Sequence, residues 1–519
     1  MTGLQSRRTR NRIGRVCQTL RPDGPGESAI VTRFLRAGFL LAGVLSYLPA
    51  LAGDFQDDLR ARRARVIQQL GPQTMLILWS APVRVYSLDV DYEYRQDSNL
   101  YYLTGIDQED TILVLMPGNL THKEILFIRP KDPVREHWQG KVLSKDEATD
   151  RSGIATVYLQ NEFEPFVEAM FSRNPRRFSR DASALEYEAF FKALERGEGQ
   201  LALVSLPKPG LAEALGPNLE FANRLKERFF GFTLRDATKT LAELRQIKTP
   251  YEQKILERSV EISNEAHLAG MRACRPGAYE YEVEAAIEYV YKAKGALGWG
   301  YPSIVASGPN ATVLHYTKST RKMERGDLLL VDAAANYQYL TGDITRTYPV
   351  DGTFTPIQKE IYQIVFRAQQ EARRVAVAGK KTSDVHAKTV DVIKEGLLKL
   401  GLITDASGDQ YRTWYTHGAV HFIGMDVHDV GDSEKPLAPG MAFVIEPGIY
   451  VREGALENLP KTPENTAFIE KVRPAYEKYR NIGIRIEDSF LLTEGGLKCL
   501  SETVPRTIEA IETFMQSPH

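Results

Sequence analysis

Apolar and polar positions recur along this chain with two different periods, and each period marks a different kind of element. From Asp54 a basic amphipathic pattern, DDLRARRARVIQQL, has helical spacing and stops at Gly71-Pro72. Short apolar runs follow at TMLILWS, TILVLMP and EILFIRP, bounded by turn-rich segments, the rhythm of strands in an α/β layer. Residues 150–240 continue the mixed pattern, with helices predicted at EPFVEAMF and EYEAFFKALERG and a strand at LALVSL. Between the first two runs, YEYRQDSNLYYLTG is dense in tyrosine, a composition that serves packing more often than ligand binding.

Near Leu234 the pattern becomes helical. TLAELRQIKTPYEQKILERSVEISNEAHLAGMRAC is broken at Pro250 and stopped by Pro276-Gly277, and YEVEAAIEYVYKAKGA adds another helix. This change places a boundary that divides residues 54–235, an α/β domain, from residues 236–519, an α+β domain. Two further helices are predicted at IQKEIYQIVFRAQQEARRVAVAG and DVHAKTVDVIKEGLLKLG, and strands at MAFVIEPGIYV, IGIRIEDSFLLT and near Leu497. Strands on both sides of a helical block suggest an α+β domain and leave duplication open, though the sequence shows no clear internal repeat.

One stretch of the second domain, LLLVDAAANYQYLTGDITRTYPV (Leu328–Val350), reads as two apolar strands with a polar, aromatic connection. Each strand carries one aspartate. Antiparallel pairing about the midpoint sets Asp332 opposite Asp343, at a Cβ separation of roughly 4.5–5.5 Å where like charges repel. Two readings are open: a pair that shares a metal ion, or aspartates that mark strand ends and turns.

Composition narrows the field. The 519 residues hold 66 basic and 67 acidic side chains, a formal net charge of −1, so global charge offers nothing to nucleic acid or anionic membranes. Three cysteines (Cys17, Cys274 and Cys499) without CxxC spacing argue against a disulfide framework and a thiolate zinc site, leaving open a Cys274–Cys499 bridge. Residues 1–53 read as a basic extension and a cleavable export signal. The uncharged run Ala37–Ala52 ends in Ala50-Leu51-Ala52, and it is too short and too rich in Gly and Pro for a good membrane anchor. The protein is therefore expected to be exported, to a periplasm or beyond the cell.

Candidate chemistry collects in the second domain. His421 in HGAVHFIGMDVHDVG, Glu446 in MAFVIEPG and Glu487 in IGIRIEDSFLL each interrupt an apolar context. A buried, unpaired carboxylate is costly, so Asp332, Asp343, Glu446 and Glu487 together are hard to explain as structure. Two divalent cations would balance them. With one histidine, the oxygen-rich set suits Mn²⁺ above all, or Co²⁺, Fe²⁺ or Zn²⁺. Four of the nine histidines (His315, His417, His421 and His428) fall around these strands.

The segments HYT at 315–317, VDAA…GDITRTYPVDG at 331–352, HGAVHFIGMDVHDVG at 417–431, EPGIY at 446–450 and GIRIED at 483–488 resemble the proline-specific metallopeptidases of the pita-bread fold, and among these the aminopeptidase P group. YRQDSNLYYLTG is similar to that group's N-terminal domain. The resemblance implies an N-terminal α/β domain followed by a pita-bread catalytic domain, with two metal ions held by Asp332, Asp343, His421, Glu446 and Glu487. It implies that Glu446 shuttles a proton to the leaving proline nitrogen, that His428 contacts the scissile carbonyl, and that His315 and His417 shape the site. Arg485 and Tyr450 would orient the ligands, as would Asp89. Tyr101 stands where the group has a tryptophan that closes a neighbouring subunit's site, which implies a homo-oligomer. The implied activity is release of the N-terminal residue from peptides with proline second. The alternative is an Xaa-Pro dipeptidase. A non-catalytic binding protein of this fold would have lost ligands, and a creatinase-like amidinohydrolase lacks the set. Two departures stand out: Asp332-Ala333-Ala334 replaces the usual Asp-Ala-Gly, and the charged segment Arg452–Asn481 is long, as for a rim over the site or a subunit contact.

Overall fold

A computed structural model describes residues 48–204 and 213–517. Most of the expected export segment, and Cys17, lie outside the described residues. In the first half α1 (Leu48–Leu70), β1 (Thr74–Trp79), the hairpin of β2 (Val85–Ser87) and β3 (Val90–Asp91), α2 (Ser98–Thr104), β4 (Ile112–Leu115), β5 (Glu124–Ile128), α3 (Pro133–Gln139) and α4 (Lys145–Ser152) follow one another. Then come β6 (Thr156–Leu159), α5 (Phe163–Phe171), α6 (Glu188–Arg196), β7 (Gly199–Leu203), α7 (Pro217–Lys226) and β8 (Phe232–Asp236). The longer strands make one mixed sheet in the order β6-β5-β4-β1-β7-β8.

This sheet is apolar on both faces, which is why its strands read as continuous runs. Met75, Ile77, Val114 and Phe127 point into a core with α5 and α6, while Leu76, Leu78, Leu113, Leu115 and Leu126 point the other way. The second face packs on Leu256, Val260, Tyr339, Ile423 and Val444 from the other half of the chain. Each such side chain removed from water contributes about 1.5–3 kcal/mol.

The second half begins with α8 (Thr238–Gln246) and α9 (Pro250–Ala273). Pro250 is the first residue of α9, behind a capping box of Thr249 and Glu252, so the apparent break is a helix start. Next are α10 (Glu280–Ala293), β9 (Gly298–Trp299), β10 (Ile304–Ser307), β11 (Leu328–Asp332), β12 (Ala335–Tyr337), β13 (Leu340–Thr341) and β14 (Thr345–Pro349). The chain continues through α11 (Pro356–Val375), α12 (Thr382–Leu400), β15 (Ala442–Ile445), β16 (Gly448–Tyr450), α13 (Pro463–Tyr479), β17 (Gly483–Arg485), β18 (Asp488–Thr493), β19 (Gly496–Cys499) and α14 (Ile508–Gln516). The helix pairs α9/α10 and α11/α12 each precede an antiparallel three-stranded sheet, β10-β11-β14 and β15-β18-β19. No helix among the described residues is long and apolar enough to cross a membrane.

The register of the central hairpin differs from the expected one. Asp332 lies opposite Thr345, and the turn falls between Gln338 and Tyr339, one residue later than the midpoint expected from sequence. Both turn residues have left-handed backbone, with φ of 48° and 68°. Tertiary contact holds them there: the Tyr339 ring stacks on Tyr101 with centroids 3.7 Å apart, and its hydroxyl accepts the Gln96 backbone N–H at 3.0 Å. Asp343 is left in the unpaired link Gly342–Ile344. A Cβ on Gly342 would lie 2.5 Å from Val260 of α9, so glycine is required for this close approach.

Two other expectations change. The segment Arg452–Asn481, expected as a rim or a subunit contact, is in part core: α13 within it buries Phe468, Val472, Tyr476 and Tyr479 beside α11. Cys274 and Cys499 are free thiols, not a bridge.

Candidate metal centre

Four strand ends deliver the carboxylates to one place. Asp332 closes β11, Asp343 sits in the link before β14, Glu446 follows β15, and Glu487 precedes β18 while bridging Thr345. Ser489 clamps the Asp343 backbone, accepting its N–H at 2.9 Å and donating to its carbonyl at 2.7 Å. His421 comes from the loop before β15, which is bridged to that strand through Phe422 and Phe443. Its Nε2 lies 3.5 Å from Asp343, 3.6 Å from Glu446 and 3.8 Å from Glu487. These spacings are too long for good hydrogen bonds. They are what atoms around a shared cation show. Asp332, Asp343 and Glu487 form a second such triad, and Asp343, His421 and His428 a third.

The electrostatics are unbalanced. Arg485 donates to Asp332 at 2.5 Å, and it is the one cation bonded to these carboxylates among the described residues. Two like charges about 4 Å apart repel by about 4 kcal/mol at an effective dielectric of about 20, more than the ~1 kcal/mol net of a hydrogen bond. Protein donors therefore cannot balance four charges. Burial works against charge on Asp332, but Arg485 and the Tyr301 hydroxyl hold its carboxyl below the usual range. Burial, then Glu487 and Asp332, push Asp343 well up. Glu446 is raised well above the ordinary value by burial and Glu487, and Glu487 is pushed up to about 8 by burial and Asp332.

The pattern of partners tests whether the residues fit metal ions. Glu487 Oε2 accepts from Thr345 Oγ1 at 2.6 Å, whereas its buried Oε1 has no donor and faces His421. An orphaned buried acceptor is rare and needs an explanation. Burial and His428 hold the His421 pKa at about 4, which leaves its Nε2 lone pair free to ligate, while Nδ1 lies 3.2 Å from the Phe422 carbonyl. Asp332, Asp343, His421, Glu446 and Glu487 thus fit a pair of divalent cations.

Sequence and fold comparisons agree with this chemistry. Residues 254–494 match the model of metallopeptidase family M24, and residues 59–178 match the aminopeptidase P N-terminal domain. The chain is 32% identical over 480 residues to the Xaa-Pro aminopeptidase of Haemophilus influenzae, covering 91% of this chain and 99% of that relative. The Escherichia coli Xaa-Pro aminopeptidase is 31% identical over 470 residues, covering 89% and 98%. Among solved structures, Pseudomonas aeruginosa aminopeptidase PepP superposes with a TM-score of 0.72 at 31% identity, again over 89% and 98%. The chain belongs to the aminopeptidase P group of the M24 metallopeptidases. It has the pita-bread fold of that group and is a metal-dependent hydrolase.

Around the aminopeptidase P cluster the structure gathers most of the expected side chains. The rings of His428 and His421 meet edge to face at 4.4 Å, and exposed His315 is near enough to lower the His428 pKa, after burial. His417 Nδ1 lies 3.5 Å from Glu446, and its Nε2 is 2.8 Å from the Tyr450 hydroxyl. Arg485 donates to Tyr450 at 2.9 Å and to Thr345 at 3.0 Å, which joins both sides of the cluster. Two residues do not join it. Asp89 lies in the exposed turn between β2 and β3, and among the described residues no hydrogen bond or ion pair links it to the carboxylates. Tyr101 is buried on α2 against its own chain's Tyr339, so its ring has no free surface with which to close a neighbour's site.

The residue that sequence reasoning missed is Tyr301. Its hydroxyl donates to Asp332 at 2.7 Å and makes a short contact to Asp343. In GWGYPS it is one aromatic among many, and nothing local marks it.

Proposed function

We propose that this chain is an Xaa-Pro aminopeptidase that releases the first residue of peptides whose second residue is proline. The observation that carries the reading is the cluster of buried Asp332, Asp343 and Glu487 with half-buried His421 and Glu446, and with an orphaned Glu487 oxygen, in a chain of this family. These residues would hold two divalent ions, Mn²⁺ by preference for an oxygen-rich set with one imidazole. Such ions would polarise the scissile carbonyl and lower the pKa of an attacking water. The bond to proline is a tertiary amide, so its nitrogen must gain a proton as it leaves. Glu446, a carboxylate at the edge of the ligand set with His417 3.5 Å away, would take up a proton from that water and deliver it to the nitrogen. Exposed His428 would donate to the carbonyl oxygen as charge develops there. His315 and His417 would flank the substrate, and Arg485 with Tyr450 would fix the ligands.

The reading extends to organisation and location. Residues 54–235 form the N-terminal domain and 236–519 the catalytic domain. The protein is exported through the signal in residues 1–53, a reading supported by the apolar run ending at Ala52. It works on peptides, without nucleic acid or a stable membrane anchor. It forms a homo-oligomer, a reading supported by exposed Tyr86, Leu88, Val90 and Tyr92 on the β2/β3 hairpin and by Trp138 on α3. Purified protein with its metal content measured should cleave Xaa-Pro-Xaa peptides far faster than Xaa-Pro dipeptides. Preference for the dipeptide would instead favour an Xaa-Pro dipeptidase, and full metal-dependent activity in Glu446→Ala would sink the proton-transfer role.

A further inference from the structure

His428 stands over the metal ligands, yet among the described residues its ring makes no hydrogen bond. What holds it is its backbone. Arg245, at the end of α8, sends Nη2 to Asp426 at 2.7 Å and to Asp429 at 2.5 Å, the residues two before and one after His428. Its Nη1 donates to Asn99 of α2 at 2.9 Å, 146 residues earlier in the chain. Lys248 donates to Asp429 at 2.7 Å and to the Arg245 carbonyl at 2.7 Å. The side chains of Arg245, Lys248 and Asp429 are 2%, 1% and 1% exposed, so water cannot replace these bonds. Gly424 makes room for them: a Cβ there would lie 2.1 Å from Asp429 Oδ2 and 2.6 Å from Lys248 Nζ. Ser98 and Arg95 reach Asp426 from the same N-terminal segment, at 3.0 and 3.4 Å.

We propose that Arg245 is a positioning residue for His428, a clamp that grips both ends of Asp426–Asp429 and fixes that histidine relative to the N-terminal half. This rests on the peptidase reading and on the carbonyl role given to His428 above. A planar guanidinium can meet two carboxylates and an amide oxygen at once, which a lysine ammonium at the end of a flexible stem cannot reproduce. Four of the five ligands, Asp332, Asp343, Glu446 and Glu487, come from the ends of other strands, and the fifth, His421, precedes the clamped segment and is tied to β15 through the Phe422–Phe443 bridge. The N-terminal half thereby contributes to catalysis without touching substrate.

The test uses the full metal-loaded protein and Arg245→Lys. Displacement of one catalytic group by about 1 Å costs up to about 100-fold in rate, so kcat should fall by about 10- to 100-fold. KM and metal content should stay within about a factor of two to three, as for a transition-state interaction. Amide hydrogen exchange should quicken in residues 424–431 and not in β11 or β18. In a His428→Ala background the same change should cost less than about threefold, because the two residues act as one unit. Unchanged exchange in 424–431, or a cost that simply multiplies with that of His428→Ala, overturns the clamp. If His428→Ala alone retains full kcat, the carbonyl role falls, and loop exchange still decides whether Arg245 holds the segment. Should Arg245→Lys fail to fold, Asp426→Asn, at a half-exposed position, is predicted to show the same pattern more weakly.

Discussion

Glu487 and Asp488 are neighbours in sequence and equally buried, yet their surroundings are opposite. Asp488 accepts hydrogen bonds from Arg346 at 2.6 Å, Ser501 at 2.6 Å, Arg506 at 2.9 Å and Gln369 at 3.0 Å. Burial opposes its charge, but Arg346 and Arg506 hold its pKa down at about 2. Glu487, one residue earlier and on the other side of the strand, has one threonine donor, three carboxylates for company and a pKa of about 8. A fold that fully pairs one carboxylate and leaves its neighbour short of donors is not short of arginines in general. The deficit lies at one place, and its natural complement is divalent cation. Charge that serves structure is satisfied within the protein, and charge that serves chemistry is left for the ligand.

The largest effect should come from the satisfied side. Asp488→Asn leaves Arg346 buried without its ionic partner and is expected to cost about 3–5 kcal/mol of stability, read by denaturant unfolding of the metal-loaded protein. A loss below about 1 kcal/mol would erase the contrast. Glu487→Gln should act with the opposite sign. In chelated protein it replaces a carboxyl that the fold keeps protonated at a cost and should raise stability by about 1 kcal/mol or more, while metal analysis of the loaded protein should show ions lost. Destabilisation of the chelated protein would contradict this.

A smaller and more diagnostic effect is the dependence on pH. A carboxyl whose folded pKa lies above its unfolded value of about 4.3 stabilises the fold below that value and loses the contribution as pH rises through the folded pKa. For Glu487 this spans about pH 4 to 8, so chelated protein should weaken steadily over that range. Asp488 behaves in reverse: its contribution is complete above about pH 4 and is lost only as pH falls toward 2. Unfolding midpoints of chelated protein that stay flat between pH 5 and 8 would count against the assignment.

Much of this was legible in the sequence for physical reasons. Runs such as TMLILWS and TILVLMP form strands because both faces of the first sheet are covered, and carboxylates set in apolar strands mark the site in the sequence itself. The hairpin register was not legible, since Gln338 and Tyr339 adopt a backbone that local preference disfavours and that the Tyr101 stack imposes. In RIEDSF, Glu487 and Asp488 look alike until the strand sends them to opposite sides. Tyr301 lies 31 and 42 residues from the aspartates it bonds, and Arg245 lies 184 from Asp429. Pairings at that range leave no local periodicity to read.

The measurement that bears most directly on the metal centre is thermal unfolding of metal-loaded and fully chelated protein, compared at pH 8 and pH 5. Ions bound at about 1,000 times their Kd stabilise the folded state by about 4 kcal/mol. Chelation should therefore lower Tm by several degrees at pH 8, where the chelated fold has lost most of the contribution of carboxyls whose folded pKa is raised, and by much less at pH 5. Equal Tm values at pH 8, with metal removal verified, would contradict a cluster built for cations.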